Sequence, residues 1–180
     1  MLPSDDSSDA SFDQPYALLR GCHARIERMD ALLLRLIDHV RTIGADAQAQ
    51  QAAAKVMRYF DRAAPLHHED EELHVFPLLR QQGGEDEAAR LDRLEADHRA
   101  LAALWATLRI WLQQMQDGRA RSPDAQTTEA AVRFSALHAE HIALENTHIF
   151  PAALACMSAA QLAAMGQDMA ARRGVRWPTG

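Results

Sequence analysis

Histidine and glutamate recur in this chain at intervals that can bring imidazole and carboxylate to one point. The stretch His67-His68-Glu69-Asp70-Glu71-Glu72-Leu73-His74-Val75-Phe76-Pro77 is echoed from His141 onward by His-Ile-Ala-Leu-Glu-Asn-Thr-His-Ile-Phe-Pro. Alignment places His67 on His141, Glu71 on Glu145, His74 on His148 and Phe76-Pro77 on Phe150-Pro151, five matches in eleven positions. Residues four apart on a helix stand about 40° from each other and one turn along, so His67 with Glu71, and His141 with Glu145, can each face one ion. Imidazole and carboxylate without thiolate suit iron, manganese or zinc, and carboxylates able to bridge favour a pair of ions.

Two further histidines extend the pattern. His23 precedes His67 by 44 residues and His98 precedes His141 by 43. Each is followed by apolar residues at helical spacing, Ile26 and Met29 in one case, Leu101 and Leu104 in the other. The repeating unit is therefore a helical hairpin in which one helix gives a single His and its partner gives His plus Glu. A single histidine on an apolar helix face is more often a hydrogen-bonded core residue than a ligand. Six such groups are another matter: buried with no metal, several would lack partners at roughly 1–3 kcal/mol each. A bundle of ordinary stability, roughly 5–15 kcal/mol, does not easily bear that sum.

These residues resemble those of a hemerythrin-like, HHE cation-binding domain, over about residues 13–155. The resemblance rests on His23, on His67 with Glu71 and Phe76-Pro77, on His98, and on His141 with Glu145 and Phe150-Pro151. It implies an all-α fold, an up-down-up-down four-helix bundle of two helical hairpins, around two non-haem iron ions (Fe2+ or Fe3+) with a bridging oxygen species. Zinc or manganese is the remaining choice of metal. The oxygen carriers of the family have a second His four residues after the helix 3 His, where this chain has Ala102. The resemblance therefore implies a more symmetric site, with His23 and His67 on one metal, His98 and His141 on the other, and Glu71 and Glu145 bridging. Such a site has open positions for O2, NO or peroxide, which points to binding or sensing of these molecules. Two alternatives stand beside that reading. One is a di-iron enzyme of peroxidase, oxidase or iron-sulfur cluster repair type, and the other a structural bundle whose site is zinc-filled or vestigial.

Other polar residues near the motifs carry weaker expectations. His74 and His148 lie about 10 Å along the axis from the first ligands and on nearly the same face. Their symmetric recurrence makes them partners of the glutamates, or extra ligands where the helices distort near the prolines. His68, His138 and His39 break the repeat and read as polar-face residues or outer partners of the site. Glu72 and Asn146, one position past the bridging pair, could substitute for it. Cys22 points about 100° away from His23 and reads as a structural thiol. Trp105, Trp111, Tyr59 and Phe60 read as core, with Tyr59 a candidate electron or proton relay.

Helices are expected to carry these residues. Of the 180 residues 48% are apolar and only 6% aromatic, with alanine and leucine abundant, which favours helix over sheet. The net charge of −6 argues against a phosphate-binding surface, so no nucleic acid partner is expected. Two cysteines far apart, with no basic segment leading into an apolar run, fit a cytoplasmic protein with no membrane span. A monomer and a homodimer both remain open.

Along the chain, residues 1–12 read as a disordered acidic tail, 13–157 as the bundle, and 158–180 as a short extra helix and tail. Asp13 is the expected cap of helix 1, with Pro15 in its first turn and Gly44 as its stop. Asp46 is expected to cap helix 2, and Pro65 to bend it just before His67. Helix 3 spans about 85–117, with Leu91, Leu94, His98, Leu101, Trp105 and Leu108 as its inward stripe. Ser122-Pro123 is the expected start of helix 4, and Ser158 with Gln161 of the fifth.

Overall fold

The computed structural model describes residues 11–119 and 122–176, and their regular structure is entirely helical. Residues 1–10 of the expected acidic tail, and Trp177 in the C-terminal tail, lie outside the described residues. Helix α1 (Pro15–Thr42) opens on Gln14 rather than on Asp13, with Pro15 at the first helical position, and gives way to Gly44 at φ 110°. A positive φ of that kind is open to glycine at no steric cost. Helix α2 (Ala47–Phe60) is capped as expected, the Asp46 carboxylate accepting the Ala49 N–H at 2.8 Å.

The bend expected at Pro65 is instead a break. Helix α2 ends at Phe60 and α3 (Ala63–Asp70) begins three residues later, which leaves Pro65 in its first turn. There the missing N–H has no intrahelical partner to lose, so the proline starts a helix rather than kinking one. Beyond Asp70, residues Glu71–Val75 form a π turn in which the Phe76 N–H reaches back five residues to the Glu71 carbonyl, and α4 (Phe76–Gln82) follows. The second motif does the same. Helix α6 (Ala125–Leu144) runs into a π turn at Glu145–Ile149, closed by the Phe150 N–H on the Glu145 carbonyl, before α7 (Phe150–Cys156).

A π turn adds a residue to the helical repeat and so rotates all that follows by about 100°. The buried face accordingly continues from Glu71 to Val75, Phe76 and Leu79, and His74 leaves it. Helix α5 (Glu85–Gln116) carries the leucine stripe inward, with Leu91, Leu94, Leu101 and Leu108 all buried. Helix α6 is capped by Asp124, which accepts the Thr127 N–H at 2.7 Å, so the start lies two residues beyond the expected Ser122-Pro123. Helix α8 (Ala159–Arg172) opens on the Ser158–Gln161 capping box, as its sequence indicates.

Helix α1 packs on α2 and α6, and α5 packs on the same two, so the four long segments close a ring. Helices α4 and α7 touch each other, and α8 lies against α1 and α3. Two apolar clusters fill the interior. One gathers Ile26 to Val40, α2, Leu101 to Met115 and Ala130 to Ile142; the other gathers Tyr16, Leu19, α4, Leu91, Leu94, α7 and two methionines of α8. His23, His67, Glu71, His98 and Glu145 occupy chain positions between the two clusters and, with His141 at the end of the first, form a polar layer. No single helix among the described residues is long and apolar enough to cross a membrane.

Candidate metal centre

The polar layer draws one side chain from α1, two from the α3 segment, one from α5 and two from the α6 segment. All six are buried, His98 being the most accessible at 6%. His23, His67, Glu71 and Glu145 present ligand atoms within 4.8 Å of one another, and so do Glu71, His98, His141 and Glu145. Glu71 and Glu145 belong to both groups. His67 Nε2 lies 3.1 Å from Glu71 Oε1 and His23 Nε2 lies 3.0 Å from Glu145 Oε2. On the other side Glu71 Oε2 is 3.4 Å from His98 Nε2, and Glu145 Oε2 is 3.4 Å from His141 Nε2. The Nε2 atoms of His98 and His141 face each other at 3.3 Å.

Close as they are, these atoms are poorly matched as donors and acceptors. Both oxygens of Glu71, both of Glu145 and His23 Nε2 are buried without an aligned hydrogen bond. Carboxylate oxygens and imidazole nitrogens that converge at about 3 Å without bonding leave a common partner to be supplied, and a cation supplies it. Both carboxylates face both histidine groups, Glu71 with one oxygen toward each and Glu145 with Oε2 between His23 and His141, so the layer has donors for more than one cation. The donor set therefore fits the metal ions expected from the sequence.

Without a cation the charge balance falls to the histidines. Burial opposes charge on His23, but its contacts with Glu145 and Glu71 outweigh that and raise it to about 9. Burial likewise opposes His141, and Glu145 with Asp97 raises it to about 10. His67 goes the other way, pushed down to about 4 by burial. Burial works against the Glu71 charge too, but the imidazoles of His67, His23 and His98 hold its carboxyl well below the usual carboxylate range.

Outer contacts fix the ring orientations. His98 Nδ1–H donates to Glu72 Oε1 at 2.7 Å, and His23 Nδ1–H donates to Asn146 Oδ1 at 3.1 Å. Each leaves Nε2 toward the layer, the usual arrangement of a metal-ligating histidine. Glu72 and Asn146, expected as substitutes for the bridging pair, thus act on the histidines of the opposite hairpin. Phe76 and Phe150 do the same, stacking on His98 at 5.7 Å and on His23 at 5.2 Å.

The structure departs from the sequence expectations at three other histidines, while His39 lies on a polar face and Tyr59 packs against the core as expected. His74 and His148 do not join the layer: His74 Nε2 sits 2.7 Å from Asp168 on α8, and His148 is exposed. The π turns rotate both away. His138 is buried rather than on a polar face, with Nδ1 at 3.0 Å from Asp30. His39 pairs with Asp46 near the surface. The Tyr59 hydroxyl donates to the Cys22 carbonyl at 3.1 Å, one residue before His23.

His68 is the residue that sequence spacing missed. It forms a third group with His98 and His141, its ring stacked on that of His98 at 3.9 Å, and its Nε2 is buried without a hydrogen bond. Having no counterpart in the second motif, where Ile142 stands, it could not be found by symmetry. Its presence gives the His98–His141 side three imidazoles against two.

Comparison with known proteins agrees with this geometry. The chain is 33% identical over 167 residues to a Haemophilus influenzae protein described as uncharacterized, covering 93% of this chain and 94% of that one. The family model described as hemerythrin HHE cation binding domain matches residues 14–153, a span that begins just before α1 and ends within α7. With the whole polar layer inside that span, the chain belongs to the hemerythrin HHE cation-binding family.

Proposed function

We propose that this protein is a four-helix-bundle, non-haem di-iron protein that binds or senses O2, NO or peroxide. The observation that carries the reading is the sharing of Glu71 and Glu145 between two buried histidine groups. His23 and His67 would hold one ion, His98 and His141 with His68 beside them the other, and the two glutamates both. Iron bound there would supply reversible redox chemistry and vacant positions for a small exogenous ligand. The chain contributes orientation through Glu72 and Asn146, and exclusion of water through the apolar clusters on either side of the layer. Imidazole and carboxylate also suit manganese and zinc, and family membership is what favours iron.

The test is elemental analysis of protein purified without added metal, with absorption spectra taken on reduction and on exposure to air, NO and peroxide. Two irons per chain and a spectrum that changes with one of these molecules would support the reading. Zinc, or iron with no optical response to any of them, would sink it. A catalytic use of the same centre is the second reading, favoured by an apolar cleft that opens beside His68. Repeated consumption of peroxide in the presence of a reductant would favour the enzyme, and stoichiometric uptake the binder.

A further inference from the structure

A cleft of about 200 Å³ opens between the α2–α3 junction, α5 and α6, and carbon makes up most of its wall. Phe60, Trp105 and Phe134 line it and touch one another, with ring centroids 5.1, 5.0 and 5.9 Å apart. The Trp105 indole N–H is taken by Asp61 at 3.0 Å, so the polar groups left in the wall are the imidazoles of His68 and His138. His138 is held from behind. Its Nδ1 bonds to the buried Asp30 carboxylate at 3.0 Å, which leaves Nε2 as the ring's other polar atom. At the mouth stands Ala102, exposed and too small to close it.

The size and lining select the occupant. A closed apolar cavity of about 150 Å³ takes a benzene molecule, so this cleft has room for one six-membered ring with a small substituent. Three aromatic side chains favour an aromatic ring by edge and face contacts, and nothing in the wall balances a formal charge. One oriented imidazole in an otherwise apolar pocket is the kind of single polar group that fixes a ligand's direction.

We infer that this cleft binds a small, neutral, single-ring aromatic molecule carrying one hydroxyl group, with the ring among Phe60, Trp105 and Phe134 and the hydroxyl on His138. Binding as such needs no metal. What rests on the proposed di-iron reading is the ligand's place relative to the centre. His68 forms the inner wall and stacks on His98 at 3.9 Å, so one imidazole separates the occupant from the His98–His141 side.

Phenol titrated into the protein as isolated, followed by the NMR shift of the Trp105 indole N–H, tests the inference. Saturable one-to-one binding is expected, with a Kd of about 1 mM or tighter from seven heavy atoms. Toluene should bind at least about fivefold more weakly, the loss expected from one neutral hydrogen bond. Ala102→Trp, which puts a ring across the exposed mouth, should weaken phenol at least tenfold while circular dichroism stays unchanged. A Trp105 signal that does not saturate by 10 mM phenol would overturn the site. So would equal binding of toluene, or phenol affinity unchanged in folded Ala102→Trp. Because the readout is the indole and not the metal, a protein that binds phenol but contains no iron would refute the di-iron reading and leave this one standing.

Discussion

Glu71 and Glu145 each face both histidine groups, so neither half of the layer is independent of them. If the layer holds two ions as proposed, Glu71→Ala should leave one or none per chain, as counted by elemental analysis. Glu72 acts at one remove, through His98. Its replacement by Ala should weaken metal binding about 10–100-fold in chelator competition, the usual effect of losing a partner that orients a ligand. The metal-free protein should also show a definite pH profile. His23 and His141 are raised to about 9 and 10, so the stability they contribute is complete below pH 6.5 and is lost as pH climbs through those values. His67, depressed to about 4, acts in the opposite sense: its contribution is present above pH 6.5 and declines as pH falls toward 4. Chemical denaturation of chelator-treated protein should therefore show a maximum near pH 6.5, and a rise continuing through pH 9 would contradict the assignment.

At the scale of elements, the two π turns and α8 decide how the ligands are presented. Each turn follows immediately on the helix that carries His and Glu and rotates the next helix, so that a phenylalanine rather than a histidine faces inward. Helix α8 then grips the first motif from outside. Arg172 and Arg173 both bond the carboxylate of Asp70, which is fully buried between His67 and Glu71, the Arg173 contact measuring 2.7 Å. Removing both guanidiniums leaves a buried charge without a counter-ion, a defect that costs about 3–5 kcal/mol. The double variant Arg172→Ala with Arg173→Ala should lose stability on that scale in urea unfolding. Adding Asp70→Asn to it should restore part of the loss, because the amide carries no charge to leave stranded. If the triple variant is no more stable than the double, the grip is packing and not charge.

Viewed whole, the molecule is two apolar clusters joined across a polar layer. A cation in that layer ties together α1, α5 and both motif-bearing segments, so the metal should act on global stability and not only on local order. Free metal at 1,000 times its dissociation constant contributes about 4 kcal/mol per site to the native state. For a chain of this size that corresponds to a rise in Tm of about 8–16 °C for each ion. Calorimetry with and without chelator measures it, and equal melting temperatures would favour a vestigial site. The same layering accounts for what could be foreseen. The 43- and 44-residue spacings reveal two hairpins because a ligand must sit at the same depth on each helix. The break at residues 61–62 left no such trace, since Pro65 reads equally as a kink inside a helix or as the start of a new one.

The helical class, the duplicated unit and the residues that meet in the layer were legible along the chain, because periodicity and metal-ligand chemistry are local properties that repeat. Which group serves which was settled by packing. The π turns put His74 and His148 out of reach, a change of one residue in helical register that residue spacing does not reveal. The crossing of hairpins gave Glu72 and Phe76 to His98, and Asn146 and Phe150 to His23. The Asp30–His138 pair, 108 residues apart, and the grip of α8 on Asp70 depend on faces that meet only after packing. His68 lay in plain view within the first motif, but whether its ring turned toward His98 or toward solvent was settled by the neighbouring helix.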